Sequence, residues 1–269
     1  MKPTVISILN AKGGVGKTTV TQNLGAGLAQ RGYKVLLIDT DLQANLTQST
    51  IGQQDADSQS IANCLINEQG LDDVIKETTT KNLWVIPVND LMVEVDLQLA
   101  SKIGRERVLK NCLEATSRLG SFDFVLIDNP PYMSLITVNS LTASDLYLIP
   151  VSTAFLSMMG IKLLQTNISK LQNSLKLDLQ FLGVVLTMYD IREKITKQVD
   201  QVLRKTLGAK VFDTVIRVNT QYKVAPLERQ TIFQIEDQTA TSNKGTEDFI
   251  SLTDELLTRI QDNKRVANL

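Results

Sequence analysis

The chain has 269 residues, 43% of them hydrophobic, which is enough for one large α/β domain or two small ones around a sizeable core. A formal net charge of −1 excludes a global field for polyanions, so any nucleic-acid contact has to come from a local basic patch. Histidine is absent, which excludes His-based catalysis and His-ligated metals, and Cys64 and Cys112 read as reduced thiols rather than a disulfide. The apolar run Val5–Leu9 is too short for a signal peptide and no other stretch approaches the length of a membrane span, so the expected compartment is the cytoplasm.

Thr4–Leu9 is rich in β-branched residues and reads as a buried strand. It feeds Asn10-Ala11-Lys12-Gly13-Gly14-Val15-Gly16-Lys17-Thr18-Thr19, a loop whose glycines let successive N–H groups point inward at a helix N-terminus, as a phosphate cradle requires. In such a loop Lys17 neutralises the β- and γ-phosphates and the Thr18 hydroxyl holds Mg²⁺, with Gly13, Gly14, Val15, Gly16 and Thr19 completing the nucleotide contacts. Ala11 stands where the G-x-x-x-x-G-K-[ST] pattern has its first glycine, and a second lysine, Lys12, follows it.

Val20, Leu24, Leu28 and Ala29 recur at helical spacing from Lys17 to Gln30, and Gly32 sits at the C′ position. Lys34–Ile38 is a second strand, so the unit is βαβ with parallel strands. Asp39 and Asp41 follow at its carboxyl end, the edge where open α/β sheets bind ligands; alone they would read as turn or helix-capping carboxylates. Residues 52–80 are polar, flanking two short amphipathic pieces, and are expected to be surface connections. Leu83–Val88 is a third strand with Trp84 in the core, and helices are expected over Leu91–Ala100 and Arg105–Leu119.

Phe124–Asp128 is four apolar residues closing on an acid, the Walker B form, which assigns Asp128 to a Mg²⁺-bound water. A helix over Leu135–Leu141, a strand over Leu146–Val151, a packing helix over Phe155–Leu175 and a buried strand over Phe181–Thr187 follow. Residues 190–229 then hold nine Lys/Arg against five Asp/Glu, a basic stretch in a slightly acidic chain, readable as a phosphate-backbone patch or as solvated helix faces. The last segment, from Gly245, has Phe249, Leu252, Leu256, Leu257 and Ile260 on one face, with Glu247 and Asp248 early and Arg259, Lys264 and Arg265 late, as the helix dipole prefers. It lacks the continuously basic polar face of a membrane-surface helix and is expected to pack on its own domain.

The glycine loop with its extra lysine resembles the deviant Walker A loop of the ParA/MinD ATPases. Asp39-Thr40-Asp41-Leu42-Gln43-Ala44-Asn45-Leu46-Thr47 resembles the D-x-D-P-Q-G-N-x-T segment of ParA proteins, Asp128-Asn129-Pro130-Pro131 their D-x-P-P, and Met188-Tyr189-Asp190-Ile191-Arg192 their T-M-Y-D-x-R segment. The resemblance implies that Lys12 reaches across a dimer to the partner's nucleotide, that Asp41 polarises the attacking water and that Asp39 helps hold Mg²⁺ through water. It also implies that Met188 and Asn219 lie near the adenine, and that Ser152 begins the turn back toward nucleotide and dimer interface. DNA contacts are expected from Arg192, Lys197, Arg204, Arg217 and Lys223; Val218 and Gln221 replace the two arginines of the family's I-P-R-N-V-R-L-S-E-A-P segment, so either neighbouring Arg217 and Lys223 supply the charge, or DNA binding is weak, or it uses the 192–205 helix alone.

The expected architecture is one doubly wound α/β P-loop domain over residues 1–269, a mainly parallel twisted sheet with helices on both faces, without a DNA-reading module before Thr4. The expected activity is that of a ParA-type ATPase using ATP and Mg²⁺: a homodimer with ATP sandwiched between subunits, bound to non-specific DNA of the nucleoid. With a ParB-like or other adaptor that stimulates hydrolysis, it would position or segregate a plasmid, a chromosome or a protein organelle such as a carboxysome. The alternatives are a metabolic P-loop ATPase or ligase of the same fold and a MinD-like membrane-cycling regulator, the latter disfavoured by the final helix. A nitrogenase-iron-protein relative is disfavoured because Cys64 and Cys112 lack motifs that could place a cluster.

Overall fold

The computed structural model describes residues 2–55, 58–153, 158–239 and 243–267. Its strands are β1 (Thr4–Ile8), β2 (Val35–Asp39), β3 (Lys76–Glu77), β4 (Leu83–Ile86), β5 (Phe124–Asp128), β6 (Leu146–Ser152), β7 (Gln180–Tyr189) and β8 (Val211–Arg217). They form one sheet in the order β3-β4-β2-β5-β1-β6-β7-β8, parallel throughout except for the two-residue edge strand β3. Such a sheet needs both faces covered, because crossovers between parallel strands lay helices over them.

Strand alternation sorts the core accordingly. Ile6, Ile8, Val35, Leu37, Leu126 and Leu148 point to one face, under α1 (Lys17–Gln30), α10 (Ile232–Thr239) and α11 (Lys244–Ala267), with Leu46 of α2 (Asn45–Ile51) joining them. Val5, Leu36, Ile38, Val125 and Ile127 point to the other, under α3 (Ile61–Asn67), α4 (Met92–Ala100), α5 (Val108–Glu114) and α6 (Leu135–Ala143). On that second face α7 (Met158–Leu175) and α8 (Lys194–Leu207) cover Tyr147, Ile149, Val151, Val184 and Leu186. The short α9 (Gln221–Val224) follows β8. Helix α11 packs on α1 and β8 through Phe249, Leu252, Leu256 and Ile260, on the face expected from its spacing.

Two expectations need correction. The polar stretch 52–80 is more than a surface connection: it contains α3, whose Ile61, Ala62, Cys64 and Leu65 are fully buried, and the edge strand β3. The helix expected over Arg105–Leu119 is a 3₁₀ turn (Arg105–Arg107), then α5, which ends at Glu114. There the Thr116 hydroxyl donates to the Cys112 carbonyl and accepts the Leu71 N–H, local bonds that compete with continuing the helix. Residues 155–157 of the helix expected over Phe155–Leu175 and the side chains of Lys264 and Arg265 lie outside the described residues. Cys64 and Cys112 are both buried free thiols.

Candidate active site

The glycine loop leaves β1 and enters α1 with Gly14 at φ +71° and Gly16 at φ +84°, left-handed values that glycine adopts without strain. Lys17, the first residue of α1, is buried, and its Nζ lies 3.4 Å from the Lys12 carbonyl. Burial lowers the Lys17 pKa, while the charges of Asp128 and Asp41 oppose the shift. The end of β7 ties to the loop, because the Thr187 hydroxyl donates to the Val15 carbonyl at 2.8 Å.

Three neighbouring strands bring the carboxylates to this loop. Asp128 is in register with Ile8 on β1 and with Asp39 on β2, so both acids end their strands at one level. Asp128 accepts the Thr18 hydroxyl at 2.6 Å on one oxygen and the Thr21 hydroxyl at 3.4 Å on the other. Asp39 accepts the Asp41 N–H at 3.1 Å, the Thr47 N–H at 2.8 Å and the Thr47 hydroxyl at 2.7 Å. Asp41 in turn accepts the N–H of Gln43 at 3.0 Å. The turn that carries it closes on Ala44, which stands at φ +53° before α2. Thr47 also accepts the Val88 N–H at 3.0 Å, so the end of β4 is tied to the same acid.

Desolvation, opposed by hydrogen bonds from Thr47, raises the pKa of Asp39 to about 6. Desolvation and then the charge of Asp39 raise Asp128 to about 8, partly offset by the Thr18 hydroxyl and Lys17. Two buried acids sharing one cation are short of positive charge. The Thr18 hydroxyl and these carboxylates are hard oxygen donors of the kind Mg²⁺ takes together with phosphate oxygens and water, and they fit that ion. Among the described residues no set of three His, Cys, Asp or Glu side chains could hold a metal ion by itself.

A trough of about 530 Å³ runs over the loop, lined by Gly13, Gly14, Gly16, Lys17, Thr18, Thr19 and Asp41, by Gln48 and Ser49 of α2, and by Pro131. Sequence reasoning missed its far wall: Tyr222, Ala225, Pro226 and Leu227, from the segment after β8, line it with Gln22 and Asn23 of α1. Two signals pointed there: the segment follows a strand at the carboxyl edge of the sheet, and Ala225-Pro226 match the end of the family segment of which Asn219 alone is assigned to the adenine. Neither Met188 nor Asn219 is on this lining. Met188 lies one residue beyond Thr187 at φ +51°, its carbonyl accepting the Thr153 hydroxyl. Asn219 is engaged by the Glu236 carboxylate and the Gln221 N–H. Lys12 and Ser152 line a separate cavity of about 140 Å³ beside Gly160 of α7.

The expected DNA-contact residues do not form one cluster. Arg192 follows β7 and is held by Asp190, whose pKa the pair lowers to about 2. Arg204 sits near the other end of α8, bound to Asp200 and Asp213. Arg217, at the end of β8, is clamped by Asp248 and Glu247 and by the Lys244 carbonyl. Lys197 and Lys223 are exposed on α8 and α9.

A glycine loop between a strand and a helix, with acids ending the adjoining parallel strands, defines a P-loop nucleoside-triphosphate-binding protein of the α/β class. The AAA domain family model matches residues 3–181, and the chain belongs to this family as a P-loop ATPase of the ParA/MinD type. It is similar to the sporulation initiation inhibitor protein Soj of Bacillus subtilis, 38% identical over 94% of this chain and 97% of that protein. To the chromosome partitioning protein ParA of Caulobacter vibrioides it is 34% identical over 98% and 97%. Among solved structures, cobyrinic acid a,c-diamide synthase of Mycobacterium smegmatis, with an ATP analogue and magnesium, is 28% identical with a TM-score of 0.75 over 88% of this chain and 97% of that one. The ATP complex of a Cyanothece McdA variant, 22% identical, has the same fold, with a TM-score of 0.78 over 97% of both chains.

Proposed function

We propose that this chain is an ATP- and Mg²⁺-dependent partition ATPase that dimerises with ATP, binds DNA without sequence preference in that state, and positions a cargo with an adaptor that stimulates hydrolysis. The observation that carries the reading is that Lys17, Thr18 and Asp41 line a trough over the glycine loop, with the buried Asp128 bonded to the Thr18 hydroxyl and the buried Asp39 to the Asp41 N–H. Bound Mg²⁺ supplies charge neutralisation on the phosphates. Thr18, Asp128 and Asp39, the last fixed by Thr47, would hold the ion when it is bound. Lys17 takes the phosphate charge at the mouth of α1. Asp41 aligns the attacking water, and Lys12 of one subunit reaches the nucleotide of the other. The relatives named for chromosome partitioning support the segregation role. A cytoplasmic, nucleoid-associated protein follows from it, and among the described residues no helix is long and apolar enough to cross a membrane.

The test is a titration of non-specific duplex DNA with ADP, ATP and a slowly hydrolysed analogue. Binding confined to the ATP states, with Asp41→Ala held as an ATP dimer, is the expected result; DNA affinity independent of nucleotide, or a monomeric Asp41→Ala that turns over ATP, overturns it. The likeness to a cobyrinic acid a,c-diamide synthase favours a second reading, a metabolic ligase of the same fold acting on a carboxylic acid. Turnover that depends on such an acid and ignores DNA would select it.

A further inference from the structure

Most carbonyls of the glycine loop are bonded within the loop or by α1. That of Lys12 faces the Lys17 Nζ, that of Gly16 accepts the Val20 N–H, and that of Lys17 accepts the Thr21 hydroxyl. The Val15 carbonyl is different, because its donor, the Thr187 hydroxyl, comes from the end of β7. Thr187 is buried, and its Cβ, Cγ2 and Oγ1 lie 3.8, 3.8 and 3.9 Å from where a Cβ on Gly16 would stand, so this side chain backs the loop at that residue.

The bond fixes more than a carbonyl. In a planar trans peptide the C=O and the following N–H point in opposite directions. With the Val15 carbonyl turned toward β7, the Gly16 N–H faces away from β7, and Gly16 lines the trough. Backbone N–H groups of such a loop are what cradle phosphates. The backbone does not enforce that orientation by itself. Glycine adopts φ of either sign, so the unit can turn over by a paired change in Val15 ψ and Gly16 φ.

Thr187 is itself held in place. It pairs with Ser152 of β6, the Thr153 N–H donates to its carbonyl at 3.2 Å, and the Thr153 hydroxyl donates to the Met188 carbonyl at 2.9 Å. Met188 leaves the strand at φ +51°, a left-handed value that costs an L-residue free energy. Strain of this kind persists where the surroundings over-determine it, and it collects at binding sites. We propose that Thr187 is a phosphate-positioning residue, whose hydroxyl holds the Val15–Gly16 peptide in the orientation that presents the Gly16 N–H to a nucleoside di- or triphosphate. The inference rests on the nucleotide-binding part of the reading above. Without the hydroxyl, only the fraction of molecules with a competent loop binds, and the apparent affinity falls by that fraction.

The test compares two substitutions. Thr187→Val keeps the shape and loses the donor; Thr187→Ser keeps the donor and loses the methyl group. In titrations of the full chain with a fluorescent ADP and Mg²⁺, Thr187→Val should lose about tenfold in affinity, as when competent loops fall to about a tenth of the molecules, and Thr187→Ser should stay within about threefold. Thr142→Val removes a similarly buried hydroxyl, bonded to the Val138 carbonyl within α6, and should change the affinity less than about twofold. In the nucleotide-free chain with isotope-labelled glycine, the Gly16 amide should show microsecond-to-millisecond exchange in Thr187→Val and none in the wild type or Thr187→Ser. Should Thr187→Val not fold, Thr187→Ala lacks the same donor and is read in the same way. If the wild-type chain binds no ADP, the nucleotide reading fails and this inference with it. If the wild type binds and Thr187→Val binds as tightly, or if Thr187→Ser or Thr142→Val loses as much as Thr187→Val, this inference alone is overturned.

Discussion

Asp128 carries the clearest physical contradiction in the chain, a carboxylate with almost no solvent, beside a second one, sharing Lys17. Its folded pKa of about 8 lies above the ordinary 3.8, so between those values the folded chain keeps a proton that the unfolded chain has released. The stability tied to this group is thus fully present below about pH 4 and is lost as pH rises through 8. Asp128→Asn keeps the shape and removes the charge. In the nucleotide-free, metal-free protein it should raise the thermal midpoint at pH 8.5 and raise it much less at pH 5; equal shifts at the two values would show that the acid is already ionised at the lower one. Ala44 carries a smaller strain of another kind. At φ +53° an L-residue costs roughly 1–2 kcal/mol, against the roughly 0.5–1 kcal/mol that glycine loses through the unfolded chain. Ala44→Gly should therefore stabilise the nucleotide-free protein by roughly 0.5–1 kcal/mol in urea unfolding, and a loss of stability would refute the strain.

At the scale of elements, close approach is what fixes α11 on α1. A methyl group on Gly27 would run into the Thr253 hydroxyl, which is buried and donates to the Phe249 carbonyl at 2.6 Å. Gly27→Ala should destabilise the fold by about 1–3 kcal/mol despite its better helix propensity, and Thr253→Ala in the same chain should recover part of that, read as a coupling energy in a double-mutant cycle. Which elements were legible in the sequence follows from how each is stabilised. β1, α1, β2 and β5 carry their own periodicity and their own endings, so Thr4–Ile8, Lys17–Gln30 and Phe124–Asp128 could be read directly. Helix α3 could be read only as a short amphipathic piece and not as part of the core, because seven residues held by a Ser60–Asn63 capping box in polar surroundings have too little period to show which face is buried. The same division holds in the site. Lys17, Thr18, Asp39, Asp41 and Asp128 belong to motifs, whereas the Tyr222–Leu227 wall lies on the trough only because a distant strand, β8, delivers it there.

For the whole molecule the question is which cations can meet a polyanion when the net charge is −1. Composition alone weights the nine Lys/Arg of residues 190–229 equally, and the fold does not. Arg192, Arg204 and Arg217 each face a carboxylate within 3.2 Å, and Arg217 also closes the N-terminal turn of α11 on Asp248. Lys194, Lys197 and Lys205 stand exposed on α8, and on a helix of 3.6 residues per turn positions 194, 197, 201 and 205 share a face. That face spans about 16 Å between its outer lysines, wider than the roughly 12 Å of a major groove, so its two ends can reach phosphates on both sides. A phosphate contact lowers the slope of log K against log salt by about 0.9 for duplex DNA. Replacing Lys194, Lys197 and Lys205 by alanine should then make the ATP-state slope shallower by about 2–3 and weaken binding, with the midpoint of urea unfolding unchanged. Arg217→Ala should lower that midpoint first, because it leaves the buried Asp248 without its cation. A lysine triple variant with an unaltered salt slope would move the DNA surface off α8, and with it the expectation that this helix lies against the nucleoid.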